Sequence, residues 1–170
     1  FNLSSGAIFV GAGSNLGTGV LYGGSTNASL STYNADITLL NSSLQAGNGQ
    51  LAFTGAYNIG FPNPVQVITG AFTLVNTVAP GKAVTFSGSV ALAHDGTRAR
   101  NLTLSGSGST VITGVVSNTT AGATISIRNN SASASTSASG ACSMNSITAG
   151  PGGRLRHRPA ALASRRAAAR

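Results

Sequence analysis

Short bursts of alternating apolar and polar residues recur along this chain, and most of them close on Ser-Gly or Thr-Gly. The series runs "LAFTG" at 51–55, "QVITG" at 66–70, "VTFSG" at 84–88, "LTLSG" at 102–106 and "TVITG" at 110–114. In "AVTFSGSVAL", Val84, Phe86, Val90 and Leu92 sit two apart on either side of the Ser-Gly-Ser step. That is the period of a strand with one buried face. Thr85 and Ser87 then face outward. "NLTLSG" repeats the phase with Leu102 and Leu104, and "TISIRN" with Ile125 and Ile127. The pattern predicts one shared core containing Phe53, Ile68, Val84, Phe86, Leu102, Leu104, Ile112, Ile125 and Ile127. No helical stripe is sustained before residue 150, and glycines this frequent would each cost about 1 kcal/mol inside a helix.

A five-residue strand cannot bury its inner face alone, so the repetition implies stacking. Gly55, Gly70, Gly88, Gly106 and Gly114 are separated by 15, 18, 18 and 8 residues. The first three intervals approximate one turn of a β-solenoid, and the last reads as two strands within one turn. Turns of about 18–22 residues would give roughly seven turns over residues 1–145, a rod on the order of 34 Å long at about 4.8 Å per strand. Stacked Asn side chains at equivalent corners are expected to hydrogen-bond along the axis. Such a rod has open strand edges at its ends, which predicts a slice of a longer solenoid.

Composition changes this picture mainly through charge. Only 7% of residues are charged, against about 25% in ordinary domains, so polarity comes from Ser, Thr, Asn and Gly. The net charge of +8 is uneven, because Arg154, Arg156, Arg158, Arg165, Arg166 and Arg170 lie in the last twenty residues. Residues 1–150 hold Lys82, Arg98, Arg100 and Arg128 against Asp36 and Asp95. The body is thus close to neutral, and the basic balance describes residues 146–170 rather than the solenoid. That segment follows the low-complexity "SASASTSASGA" and reads as a disordered or weakly helical basic tail, either frameshift-derived or genuine. A genuine tail would bind nucleic acid or anionic lipid non-specifically. Cys142, the single cysteine, excludes an internal disulfide. The longest apolar runs, such as "VQVI", are too short to span a bilayer as a helix.

The run "VTFSGSVALAHDGTRARNLTLSGSGSTVITGVVSN", residues 84–118, resembles the autotransporter-associated β-strand repeats of large bacterial surface proteins. Phrases of the "TFSG", "LTLSG" and "TGVVS" type alternate there with polar turns. The likeness extends over about residues 50–130, is thinner over 1–49 and ends near 145. It implies a right-handed parallel β-helix exported across the cell envelope, acting as an adhesive or structural stalk. Its partners would be neighbouring repeats of the parent protein and surface glycans or proteins. The family has no shared catalytic residues to carry over.

Candidate chemistry is sparse. "AHDGTRAR", residues 93–100, gathers His94, Asp95, Arg98 and Arg100, yet Asp-Gly is a turn signal and neighbouring His and Asp point to opposite sides of a strand. It reads as a solvated turn. "GAGSNLG", residues 11–17, has spaced glycines without the Lys or the strand-helix context of a phosphate loop, and reads as a corner. "FPNPVQ", residues 61–66, reads as a loop projecting from the rod. No catalytic, cofactor-binding or metal-binding residue is nominated, and no cofactor is expected. Two function classes remain: a non-enzymatic surface module, and a carbohydrate-active or ligand-binding solenoid such as an ice-binding protein. The scarcity of acids weighs against an enzyme, and the irregular glycine spacing against an ice lattice.

Overall fold

The computed structural model describes residues 1–117, apart from 15, 25–26 and 93–99, and beyond them only the strands at 128–129, 135–139, 148–149 and 154–158. His94, Asp95, Arg98, Ile125, Ile127 and Cys142 fall outside the described residues. The chain coils as a parallel β-solenoid, laying down strands turn after turn. The first turn holds β1 (Asn2–Leu3) and β2 (Gly6–Val10), and the second β3 (Leu21–Gly23), β4 (Ala28–Thr32) and β5 (Ile37–Thr38). Then come β6 (Leu44–Ala46), β7 (Gly49–Gly55) and β8 (Ile59–Phe61), followed by β9 (Val65–Val67), β10 (Ala71–Val78) and β11 (Ala83–Phe86). The fifth turn has β12 (Val90–Ala91), β13 (Asn101–Ser105) and β14 (Ser109–Ile112), and the sixth begins with β15 (Val116–Ser117). The later strands are β16 (Arg128–Asn129), β17 (Ser135–Ser139), β18 (Thr148–Ala149) and β19 (Arg154–Arg158).

Three parallel sheets result, each taking one strand per turn: β1-β3-β6-β9-β12-β15, β2-β4-β7-β10-β13-β16-β18 and β5-β8-β11-β14-β17-β19. We call them the first, second and third faces. Because pairing is in register, side chains of one kind stack along the rod. On the first face Leu21, Leu44, Val65, Val90 and Val116 form one aliphatic column, all buried. On the second, Ala28, Leu51, Leu74 and Leu104 do the same. On the third, Phe61 stacks on Phe86 with ring centroids 5.2 Å apart, and Phe53 meets Phe61 edge-on at 5.5 Å. Alternation supplies the inward residues and stacking removes their last exposed surface, which no single strand could do.

Phe53, Val84, Phe86, Leu102, Leu104 and Ile112 lie in this core as the alternation predicts. Ile68 does not. Val65 and Val67 point inward, stacked on Leu44 and Ala46, and Ile68 follows the strand, partly buried, with its N–H donating to the Ala46 carbonyl.

The turn length also differs from the glycine spacing. Partners on adjacent turns are 22 residues apart at Gly6–Ala28, 23 at Leu51–Leu74, 26 at Val84–Thr110 and 30 at Ala71–Asn101. The described residues through 117 therefore complete about five turns. "VTFSG" at 84–88 stacks on "TVITG" at 110–114, while "LTLSG" at 102–106 lies on a different face. The 18-residue interval measures the step from one face to another, because Ser-Gly or Thr-Gly follows strands on all three.

Two glycine requirements follow from this stacking. A Cβ on Gly114 would overlap the Gly88 carbonyl oxygen directly beneath it. Gly106 has φ 99°, and a Cβ there would overlap the Asn76 backbone. Asn76 itself occupies an inward position of β10, level with Phe53, and is fully buried. Its carboxamide nitrogen donates to the Ser109 carbonyl at 2.7 Å and to Thr110 Oγ1 at 3.0 Å, and its oxygen accepts the Val78 N–H at 3.1 Å. A polar residue inside the rod thus ties β10 to β14 across the corner. Between Phe72, Leu74, Phe86 and Ile112 the remaining space is about 10 Å³, at the lower limit for one water and without polar partners to hold it.

The corner between the third and first faces is tight. "FPNPVQ" does not project: Phe61 ends β8, Val65 begins β9, and only Pro62, Asn63 and Pro64 lie between. Proline suits such a break because it needs no ladder donor, and the Pro64 carbonyl still accepts from Leu44 N–H one turn away. Asn41 and Asn63 hold this corner by reaching back one turn, Asn41 to the carbonyls of Leu16 and Gly19, Asn63 to that of Asn41. The expected Asn stacking is present, with backbone oxygens rather than other side chains as acceptors. Of the spaced glycines at 11–17, Gly11 and Gly13 lie in a turn closed by Ser14 N–H on the Gly11 carbonyl.

At the far end, Arg154–Arg158 pairs in parallel with Ser135–Ser139. The basic segment set apart by its composition therefore contributes a strand, and its alternating "RLRHR" has the strand period.

Candidate functional site

The rod's outward surface is built from the polar half of each alternation. On the first face Tyr22, Gln45, Gln66 and Ala91 stand in register, and Gln45 Nε2 donates to Gln66 Oε1 at 3.3 Å. The third face presents Thr38, Gly60, Thr85 and Val111. The second carries Ser29, Ala52, Val75 and Ser105 in one column and Gln50, Thr73 and Thr103 in the next.

A small charged cluster lies at the corner between the second and third faces. Asp36 accepts from the Asn58 N–H at 2.9 Å and from its Nδ2 at 2.8 Å, while Lys82 Nζ lies 3.9 Å away. The Asn58 hydrogen bonds hold the Asp36 carboxyl below its usual range against the opposing effect of desolvation, with a lesser contribution from Lys82. Asn58 in turn accepts from Ala83 N–H, so the cluster fastens three successive turns. Lys82 sits 6.0 Å from the Tyr57 ring centroid. This carboxylate is committed to structure: its donors favour the ionised form, the opposite of what a general acid requires.

Of the "AHDGTRAR" group only Arg100 is described. It is 5% exposed, so it is buried rather than solvated, and it has an interaction partner within the protein. Among the described residues no three His, Cys, Asp or Glu side chains come together as a metal site. No described helix is long and apolar enough to cross a membrane.

A groove of about 420 Å³ runs along the start of the second face, lined by Asn27, Gly49, Gln50, Ala71 and Thr73. Sequence reasoning missed it. Its members lie in three separate stretches of chain, and only the true turn lengths bring them level. Neither family models, curated proteins nor solved structures match the chain. The fold is that of a parallel β-solenoid, with a groove on its second face among the described residues.

Proposed function

We propose that this chain is a non-enzymatic structural or adhesive module of a protein exported to a bacterial cell surface, a stalk of the autotransporter passenger kind. The observation that carries the reading is the in-register stacking itself. Each turn buries its apolar face only against its neighbours, so turns add length at about 4.8 Å apiece without needing a new core. Rigidity and reach are what a stalk must supply. The weak charge of the outer surface suits a module whose partners are further solenoid turns and surface glycans or proteins. A glycosidase would need a pair of carboxylates across a cleft; the chain has Asp36 and Asp95 alone, and Asp36 is bound up with Asn58 and Lys82.

Labelling intact cells of the source organism with an antibody raised against the chain tests this. Surface labelling before permeabilisation is expected. Labelling that appears only after permeabilisation would overturn the assignment.

A further inference from the structure

We infer that the groove at Asn27, Gly49, Gln50, Ala71 and Thr73 is a binding site for a neutral polysaccharide lying along the rod axis. The inference rests on the adhesive reading above and specifies its ligand.

The first support is register. Gln50 pairs with Thr73 and Thr73 with Thr103, while Asn27, one residue before the Ala28–Leu51 pair, falls level with Gln50. Carboxamides and hydroxyls therefore line up on four successive turns. The second is that their hydrogen-bonding capacity is unspent. Asn41, Asn58, Asn63, Asn76, Gln45 and Gln66 all bond within the protein. The side chains of Asn27, Gln50 and Thr73 hold no hydrogen bond among the described residues. The third is backbone strain, for Asn27 has φ 71°, the one positive value outside glycine among those residues. Such conformations concentrate where a chain is held for function.

The ligand class follows from the chemistry. Gly49 and Ala71 leave the floor open, so a chain can lie against the backbone there. Among the described residues no charged side chain lines the groove, which favours a neutral ligand there. Amides and hydroxyls offer donors and acceptors together, the complement of sugar hydroxyls. The groove lacks an aromatic or large aliphatic pocket of the sort that anchors a protein partner. Weak contacts repeated at about 4.8 Å along an extended polymer add up by multivalency rather than by one strong site.

Titration of the full chain with cellohexaose, mannohexaose and chitohexaose, followed by backbone amide shifts, tests the proposal, with heparin and polygalacturonate as anionic controls. At least one neutral hexamer should shift residues 27, 49–50, 71–73 and 103, and neither anion should do so. Gln50→Ala combined with Thr73→Val should weaken that binding about tenfold, since the hydrogen bonds of both side chains to the sugar are lost. Ala71→Trp, which fills the groove from an exposed position, should abolish it with melting unchanged. Binding that survives both variants overturns the groove while leaving the adhesive reading in place. So does adhesion to protein-coated beads without sugar binding. A chain that binds no hexamer, no beads and no cells overturns both.

Discussion

Replacing Asn76 separates two accounts of the rod's interior. Its position on β10 is level with Phe53 on the turn below, so packing alone would favour an apolar side chain there. Asn76→Leu keeps the volume and would gain about 1.5–3 kcal/mol if burial decided the outcome. The structure assigns the opposite sign. Leucine leaves the buried Val78 N–H without its acceptor and removes both donors to Ser109 and Thr110. An orphaned backbone donor costs about 1–3 kcal/mol and each lost bond about 1 kcal/mol, so the expected net change is a destabilisation of about 1–2 kcal/mol. Asn76→Ala, with a cavity added, should lose about 3–5 kcal/mol. Urea unfolding of the full chain, followed by far-ultraviolet circular dichroism, measures both, with the slope checked for a change in cooperativity. A leucine variant as stable as the parent, or more stable, would refute the claim that the carboxamide latches β10 to β14.

Phe86→Asp should unfold the turns around it, costing more than 4 kcal/mol, because it buries an unpaired charge between Phe53 and Phe61. Thr85→Asp, on the outer side of the same strand, should stay within about 0.5 kcal/mol; equal melting losses in the two would remove the inward assignment of β11. Asp36 gives a pH signature. Its folded pKa is depressed, so its contribution is fully present above the unfolded carboxylate value near 3.9 and is lost as pH falls through the lower folded value. The difference in melting temperature between the parent and Asp36→Asn should therefore be visible at pH 6 and close below about pH 4. A difference that persists unchanged into acid would contradict the role given to the Asn58 donors.

Strand existence and the inward phase were legible in the sequence, since Val84, Phe86, Leu102, Leu104 and Ile112 carry a period that only a pleated strand satisfies. Turn length was not. Ser-Gly or Thr-Gly follows strands on every face, so "LTLSG" at 102–106 looks like the partner of "VTFSG" at 84–88 although "TVITG" at 110–114 holds that place. The contact that distinguishes them, Gly114 over the Gly88 carbonyl, is steric and leaves no mark beyond a glycine. Ile68 departs from the core for a related reason: it stands two residues before Gly70, as Phe53, Phe86, Leu104 and Ile112 stand before their glycines, yet its strand ends at Val67 and it falls outside the stack. The groove was hidden more deeply, because Asn27, Gln50, Thr73 and Thr103 are separated by 23, 23 and 30 residues and become neighbours only once those unequal turns are known.

The unequal turns have a mechanical meaning. Each strand is hydrogen-bonded only to the strands above and below, so tension along the axis loads one layer of ladder bonds after another and the end turn opens first. Opening the turn between Val90 and Val116 would release 26 residues, on the order of 85 Å of extended chain at about 3.3 Å per residue, in exchange for one strand spacing. The extension gained at each step is set by the local number of residues, and the 30-residue turn at Ala71–Asn101 gives the most. Pulled from its ends, such a rod would lengthen in discrete, unequal steps while the turns behind the break kept their register, absorbing strain without losing its remaining length of stacked core.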